Sequence, residues 1–149
     1  MNALAGLPAI PAYTVTAIVL GLNLIGLANA SALTRAQAAE VINPEDRALN
    51  KKATVVFDAG NDRTARYRRA HRNALENTPL FMITAFVLTM MGTSATVGAA
   101  LFYTYAAFRV LHSVCYVKAI QPFRTLSFVI ALLIQVGVLG LIAYGTFAA

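Results

Sequence analysis

The sequence predicts an all-α membrane protein, a bundle of four transmembrane helices in a single domain over residues 1–149. Its composition is the first reason, because 58% of the residues are hydrophobic and only 12% are charged, which is too apolar for an ordinary soluble domain. The second reason is that residues 1–34, 77–108 and 125–149 contain no Asp, Glu, Lys or Arg. Each of these segments exceeds the roughly 20 residues that span a bilayer.

The helices follow from these segments in order. Helix 1 covers about residues 8–36, and we interpret it as a span rather than a cleaved signal peptide because it lacks a basic start and continues too long. The middle segment is long enough for two helices, which break at "MGTSATVG", where Gly, Ser and Thr cluster. Helices 2, 3 and 4 are therefore expected at about residues 66–91, 95–118 and 123–147, with a loop over residues 37–65.

The basic residues predict how the bundle is oriented. Most of them lie between helices 1 and 2 or at the ends of those helices, Lys118 and Arg124 flank the turn between helices 3 and 4, and Arg109 alone lies elsewhere. The positive-inside rule therefore places both basic loops in the cytoplasm and both termini on the other side. This distribution accounts for the net charge of +6 without a nucleic-acid partner.

Polar residues continue below the expected membrane surface in helices 2 and 3. Only 15 uncharged residues separate Glu76 from Gly92, about 22 Å of helix, which is shorter than a hydrocarbon core of roughly 30 Å. Glu76 lies 16 positions before Gly92 and Arg109 lies 17 positions after it. In an antiparallel hairpin they reach the same depth, so the sequence predicts that these opposite charges pair.

Helical spacing places further polar residues on two stripes. Arg69, Arg72, Asn73 and Glu76 share one face of helix 2, and Arg109, His112 and Tyr116 share one face of helix 3. With Arg124 at the start of helix 4, the stripes predict a cationic cleft for a small hydrophilic anion. Anchoring at the membrane surface is the simpler role for Arg66, Arg68 and Lys118, while Arg69 and Arg72 fit an anchor and a ligand site equally well.

Four segments resemble the MAPEG family, the membrane-associated proteins in eicosanoid and glutathione metabolism. They are "NPED" after helix 1, "RRAHRNALEN" opening helix 2, "RVLHSVCY" in helix 3 and "QPFRTLSF" opening helix 4. The resemblance covers nearly the whole chain, and its forms are most similar to the microsomal glutathione transferase branch and next to the microsomal prostaglandin E synthase branch. It implies a homotrimer with glutathione bound between neighbouring subunits near the cytoplasmic surface.

The resemblance also implies roles for individual residues. Arg124 matches the arginine that stabilises the glutathione thiolate, and Asp46 matches an aspartate proposed as an acid or base. Thr125 stands where the synthase branch has a serine proposed to assist the thiol. The implied glutathione contacts are Arg35, Arg69, Arg72, Asn73, Glu76, Arg109, His112 and Tyr116.

The implied activity is that of a membrane-embedded glutathione transferase, with glutathione peroxidase activity as an extension, acting on apolar electrophiles or lipid hydroperoxides. Thr125, together with Phe128 in place of the synthase branch's tyrosine, argues against a prostaglandin-E-synthase-like isomerase. A non-catalytic lipid-binding adaptor of the same architecture is the other alternative, and Arg124 weighs against it. A small multidrug exporter fits less well, because those resemble chains with a membrane Glu in helix 1, and helix 1 is uncharged here.

Overall fold

Four long α-helices make up most of the chain. The structure, a computed structural model, describes residues 6–56 and 60–148. Within these ranges the helices are α1 (Ile10–Gln37), α2 (Asp62–Met90), α3 (Ala95–Lys118) and α4 (Phe123–Phe147). The connection between α1 and α2 contains a short 3₁₀ helix (Pro44–Ala48) and two short strands, β1 (Glu40–Val41) and β2 (Thr54–Val55), which pair in parallel.

The observed helix bounds are close to those expected from sequence, except at the start of α2. This helix begins at Asp62 rather than near residue 66 because the Asn61 side chain accepts a hydrogen bond from the Thr64 backbone N–H at 3.0 Å and so caps its first turn. Glu40 stabilises the same start, since its Oε2 accepts from the Asn61 backbone N–H at 3.1 Å and from Asn61 Nδ2 at 3.0 Å. The loop is thus bonded directly to the first turn of α2.

The core lies between all four helices. Its centre is aromatic: the Phe81 and Tyr105 rings stack with centroids 3.5 Å apart, and Phe102 meets Phe81 edge-on at 6.0 Å. Nearer the loop, a second cluster of Leu27, Ala70 and Ala74 joins α1 to α2, and its small side chains allow the two backbones to approach closely.

The outer surface carries many large apolar side chains. Large hydrophobic side chains such as Leu22 and Leu133 are 63% and 64% exposed, which suits a lipid environment and not water. Among the described residues, α1 and α4 are the two helices that are both long and apolar enough to cross a membrane. The helices α2 and α3 are of similar length, 29 and 24 residues, but they carry the polar stripes.

Candidate functional site

The contact between α2 and α3 lies within about one helical turn of the depth match that the sequence predicts for this hairpin. The Tyr105 hydroxyl donates to the Asn77 carbonyl oxygen at 3.2 Å. One turn further along α3, Arg109 Nη2 donates to the Asn73 carbonyl oxygen at 3.0 Å and to Asn73 Oδ1 at 2.9 Å. Arg109 is only 2% exposed, so a buried guanidinium joins the two helices.

The predicted pairing of Arg109 with Glu76 is wrong. Arg109 bonds to Asn73, and Glu76 Oε1 instead lies 3.8 Å from Arg72 Nε, with both of those side chains well exposed. The reason is rotational: Asn73 and Asn77 lie on the face of α2 towards α3, and Glu76 lies about 100° around the helix from Asn77. A loose, exposed i,i+4 pair of this kind contributes little to stability.

Arg124, in the first turn of α4, is held in place by its neighbours. Its guanidinium carbon lies 4.9 Å from the centroid of the Tyr116 ring, a cation–π contact. The Gln121 side-chain amide is assigned the orientation in which both its oxygen and its nitrogen form hydrogen bonds. The amide oxygen then accepts from Arg124 Nε at 3.2 Å and from Arg124 Nη2 at 2.7 Å, and the amide nitrogen donates to Thr125 Oγ1 at 3.1 Å. These contacts use only part of the fork of N–H donors on the guanidinium.

His112 connects α3 to the same turn of α4. Its Nδ1–H donates to the Arg124 carbonyl oxygen at 2.8 Å, because a carbonyl can only accept. In the neutral ring this leaves Nε2 as an acceptor, and within the described residues Nε2 is buried and has no partner. The imidazole lies between the Tyr116 and Phe128 rings, with both centroids 5.7 Å away.

These side chains line one cavity of about 230 Å³, which we call the α4 pocket. Polar groups from three helices converge on it. Its lining residues are Asn73, His112, Tyr116, Arg124, Thr125 and Phe128.

A larger cavity, of about 600 Å³, lies on another side of α2, against α1; we call it the α1–α2 pocket. Arg69 and Arg72 line it, together with His71 and with Ser31 of α1. This is the most basic cavity of those described, so it suits the carboxylates of an anionic ligand.

Arg35 and Asp46 lie apart from both pockets. They line a third cavity, of about 350 Å³, between the end of α1 and the loop, with Glu40 and Asn50. A single protomer does not gather the predicted site residues in one cleft. The three cavities divide most of them, Arg109 lines a fourth cavity, and Glu76 is outside the cavities described.

Gln121 was not singled out in the sequence as a functional residue, although it orients Arg124 and Thr125. Its spacing of three and four residues before these two positions was the available signal, because such residues are neighbours on a helix. Helical spacing does not predict the contact of Gln121 with Arg124 and Thr125 directly, because Gln121 lies in the turn before α4 begins at Phe123.

Comparison with known proteins agrees with the arrangement of helices and motifs. A family model, that of the MAPEG family, matches residues 12–144. Two relatives are prostaglandin E synthases, from Macaca fascicularis and Homo sapiens. Each is 28% identical over 125 residues, which is 83% of this chain and 81% of the relative.

Proposed function

We propose that this chain, which belongs to the MAPEG family, is a membrane-embedded glutathione transferase that activates glutathione as its thiolate. The observation that carries the proposal is the oriented Arg124 guanidinium in the α4 pocket, beside Thr125 and the buried His112 Nε2, which has no hydrogen-bond partner among the described residues. Family membership supports glutathione as the cosubstrate and the bilayer as the environment.

The magnitude of the charge effect is sufficient for thiol activation. A free thiol has a pKa of about 8.5, and lowering it by about two units requires roughly 2.7 kcal/mol of preferential thiolate stabilisation. A guanidinium about 4 Å from the sulfur supplies on the order of 4 kcal/mol at an effective dielectric constant of about 20, before desolvation losses. The N-terminus of α4 adds a smaller favourable field.

The rest of the tripeptide requires more surface than the α4 pocket. The two glutathione carboxylates match the basic residues Arg35, Arg69 and Arg72, and its α-amino group matches the exposed Glu76 carboxylate. In one protomer these groups lie on other sides of α2 and α1 from Arg124. A homotrimer in which the α1–α2 pocket of one subunit faces the α4 pocket of the next would bring them together, since head-to-tail contacts related by a three-fold rotation close into a ring.

Mixing two inactive variants tests this arrangement. Arg69→Ala damages the α1–α2 pocket and Arg124→Ala damages the α4 pocket, and each variant alone is expected to conjugate poorly. When the two are coexpressed, about a quarter of the sites in randomly mixed head-to-tail trimers combine two intact halves, so activity returns to roughly that fraction of wild type.

The control is a mixture of the two separately purified variants under conditions where subunits do not exchange, which is expected to stay inactive. If coexpression gives no more activity than this control, glutathione binds within one subunit and the proposed assembly is wrong.

The chemical step follows from the thiolate. Its sulfur forms a C–S bond with an apolar electrophile while the leaving group departs with its electron pair. With a lipid hydroperoxide the sulfur attacks the terminal oxygen, the O–O bond breaks and the alkoxide leaves as an alcohol after gaining a proton. A second glutathione then converts the resulting sulfenic acid to the disulfide and water. Asp46 lines the cavity with Arg35 and not the α4 pocket, so its role as an acid or base requires that the assembly bring this cavity to the Arg124 of a neighbouring subunit.

A glutathione-dependent isomerase is the second candidate, and the prostaglandin E synthase relatives are the observation that favours it. The purified protein in nanodiscs, supplied with glutathione, separates the two. We expect conjugation of chlorodinitrobenzene and no formation of a prostaglandin E, because Thr125 and Phe128 depart from the synthase pattern. Faster isomerisation than conjugation would favour the isomerase. Glutathione binding without either reaction would favour the non-catalytic lipid-binding adaptor.

A further inference from the structure

A small cavity lined by both polar and apolar side chains lies between α2, α3 and α4, about one helix turn beyond the α4 pocket. Its lining residues Asn77, Arg109 and Ala131 each lie about one helical turn from a residue that lines the α4 pocket. Its volume is about 50 Å³, and its lining residues are Asn77, Leu80, Tyr105, Arg109, Ala131, Leu132 and Gln135. We call it the deep cavity.

Two of its polar atoms lack a partner anywhere in residues 6–56 and 60–148: Arg109 Nε and Gln135 Oε1. Both residues are more than nine-tenths buried, with exposed fractions of 2% and 6%. Arg109 Nη2 bonds to Asn73, and Gln135 Nε2 donates to Thr84 Oγ1 at 3.0 Å. The lining of this cavity therefore includes two residues that carry, among the described residues, one unsatisfied donor and one unsatisfied acceptor.

This combination defines what can bind. A buried polar group without a partner is costly, and in a bilayer no bulk water is at hand to relieve it. A group that satisfies both atoms must accept from Arg109 Nε–H and donate to Gln135 Oε1. A hydroxyl does both, whereas a ketone, an ether or an aryl halide cannot donate. About 50 Å³ is room for a water molecule or a terminal O–H group, and not for a whole substrate.

We propose that the deep cavity is a hydroxyl-binding site. Two sources can supply the group: a water molecule, or the terminal O–H of a hydroperoxide carried by an apolar molecule in the bilayer. Leu80 and Leu132, which also line the cavity, are 52% and 45% exposed, so the lining extends to the outer surface of the bundle, where an apolar molecule in the bilayer would make contact. The hydroperoxide source rests on the proposed function, and the water source does not.

The test uses the full chain in nanodiscs and two variants, of which only one removes Gln135 Oε1. Gln135→Leu removes the free acceptor, while Thr84→Val removes only the interhelical partner of Gln135 and leaves Oε1 in place. One measurement is NMR magnetisation transfer from water to Arg109 Nε–H. The other is the ratio of kcat/KM for cumene hydroperoxide to that for chlorodinitrobenzene, each with glutathione.

If a hydroperoxide occupies the site, the kinetic ratio falls about 3- to 10-fold in Gln135→Leu, as expected for one neutral hydrogen bond, and is unchanged in Thr84→Val. If water occupies it, the ratio is unchanged and magnetisation transfer is strong in the wild type and weak in Gln135→Leu. Either result supports the proposal. An unchanged ratio together with no transfer in the wild type overturns it. A wild type without turnover contradicts the proposed function, and the transfer measurement alone then decides the hydroxyl site.

Discussion

Arg124→Ala is expected to lower kcat/KM for conjugation of chlorodinitrobenzene by about 25-fold at pH 7, because a rise in the bound thiol's pKa from about 6.5 to about 8.5 lowers its thiolate fraction from about three quarters to about 3%. The variant's activity should rise with pH until it passes the ordinary thiol pKa of about 8.5, since hydroxide then produces the thiolate that the guanidinium no longer stabilises. The wild type, with a lowered thiol pKa, should be nearly independent of pH over the same range. Stopped-flow turnover and the ultraviolet absorbance of the bound thiolate measure both effects.

The matched control is Lys118→Ala, which removes another positive charge from the α3–α4 turn without touching the α4 pocket and should leave conjugation unchanged. Arg124→Lys separates charge from geometry, because a lysine keeps the charge but cannot reproduce the planar contacts with Tyr116 and Gln121. Full turnover in Arg124→Ala, with the protein still assembled, would refute the thiolate mechanism.

Asn73→Leu is expected to reduce the stability of the glutathione-free protein by about 2 kcal/mol, the usual cost of losing a hydrogen bond to a charged group. The substitution removes the Oδ1 atom that accepts from Arg109 Nη2. Among the described residues this leaves the Asn73 backbone carbonyl as the bonded partner of Nη2 in an arginine that is only 2% exposed. Thermal unfolding in detergent, without glutathione, measures the loss.

Glu76→Gln is the comparison that decides between the two partners for Arg109. Because Glu76 forms only an exposed contact with Arg72, we expect a change below about 0.5 kcal/mol. A loss in Glu76→Gln as large as that in Asn73→Leu would restore the Glu76–Arg109 pair that the sequence predicts and contradict the observed contacts.

In the hairpin of α2 and α3, the sequence predicts the approximate depth of Arg109 but not its partner. Counting residues outward from Gly92 predicts that Glu76 and Arg109 lie at one depth, and the Tyr105–Asn77 and Arg109–Asn73 hydrogen bonds have nearly that register. The depth of a residue follows from the constant rise per residue of a helix. The partner of Arg109 cannot be predicted in this way, because it depends on which face of α2 is turned towards α3. Packing across the whole interface sets that rotation.

The start of α2 gives a second example. The sequence predicts that this helix begins near residue 66. In the structure it begins at Asp62, because Asn61 caps its first turn and Glu40 accepts hydrogen bonds from Asn61. Asn before a helix is a signal readable in sequence. Its pairing with a residue 21 positions away is a tertiary contact that no local pattern contains.

The sequence by itself determined the helical membrane bundle, the clustering of basic residues at one end and the family motifs, because hydropathy, charge and spacing are properties of contiguous segments. Only the tertiary structure decided that Arg69 and Arg72 face a different cavity from Arg124, that Gln121 orients Arg124, and that Arg109 and Gln135 leave a donor and an acceptor in one buried cavity. These relations depend on the rotation of each helix about its axis. That rotation is set by the packing of all four helices together, so it cannot be found in any one of them.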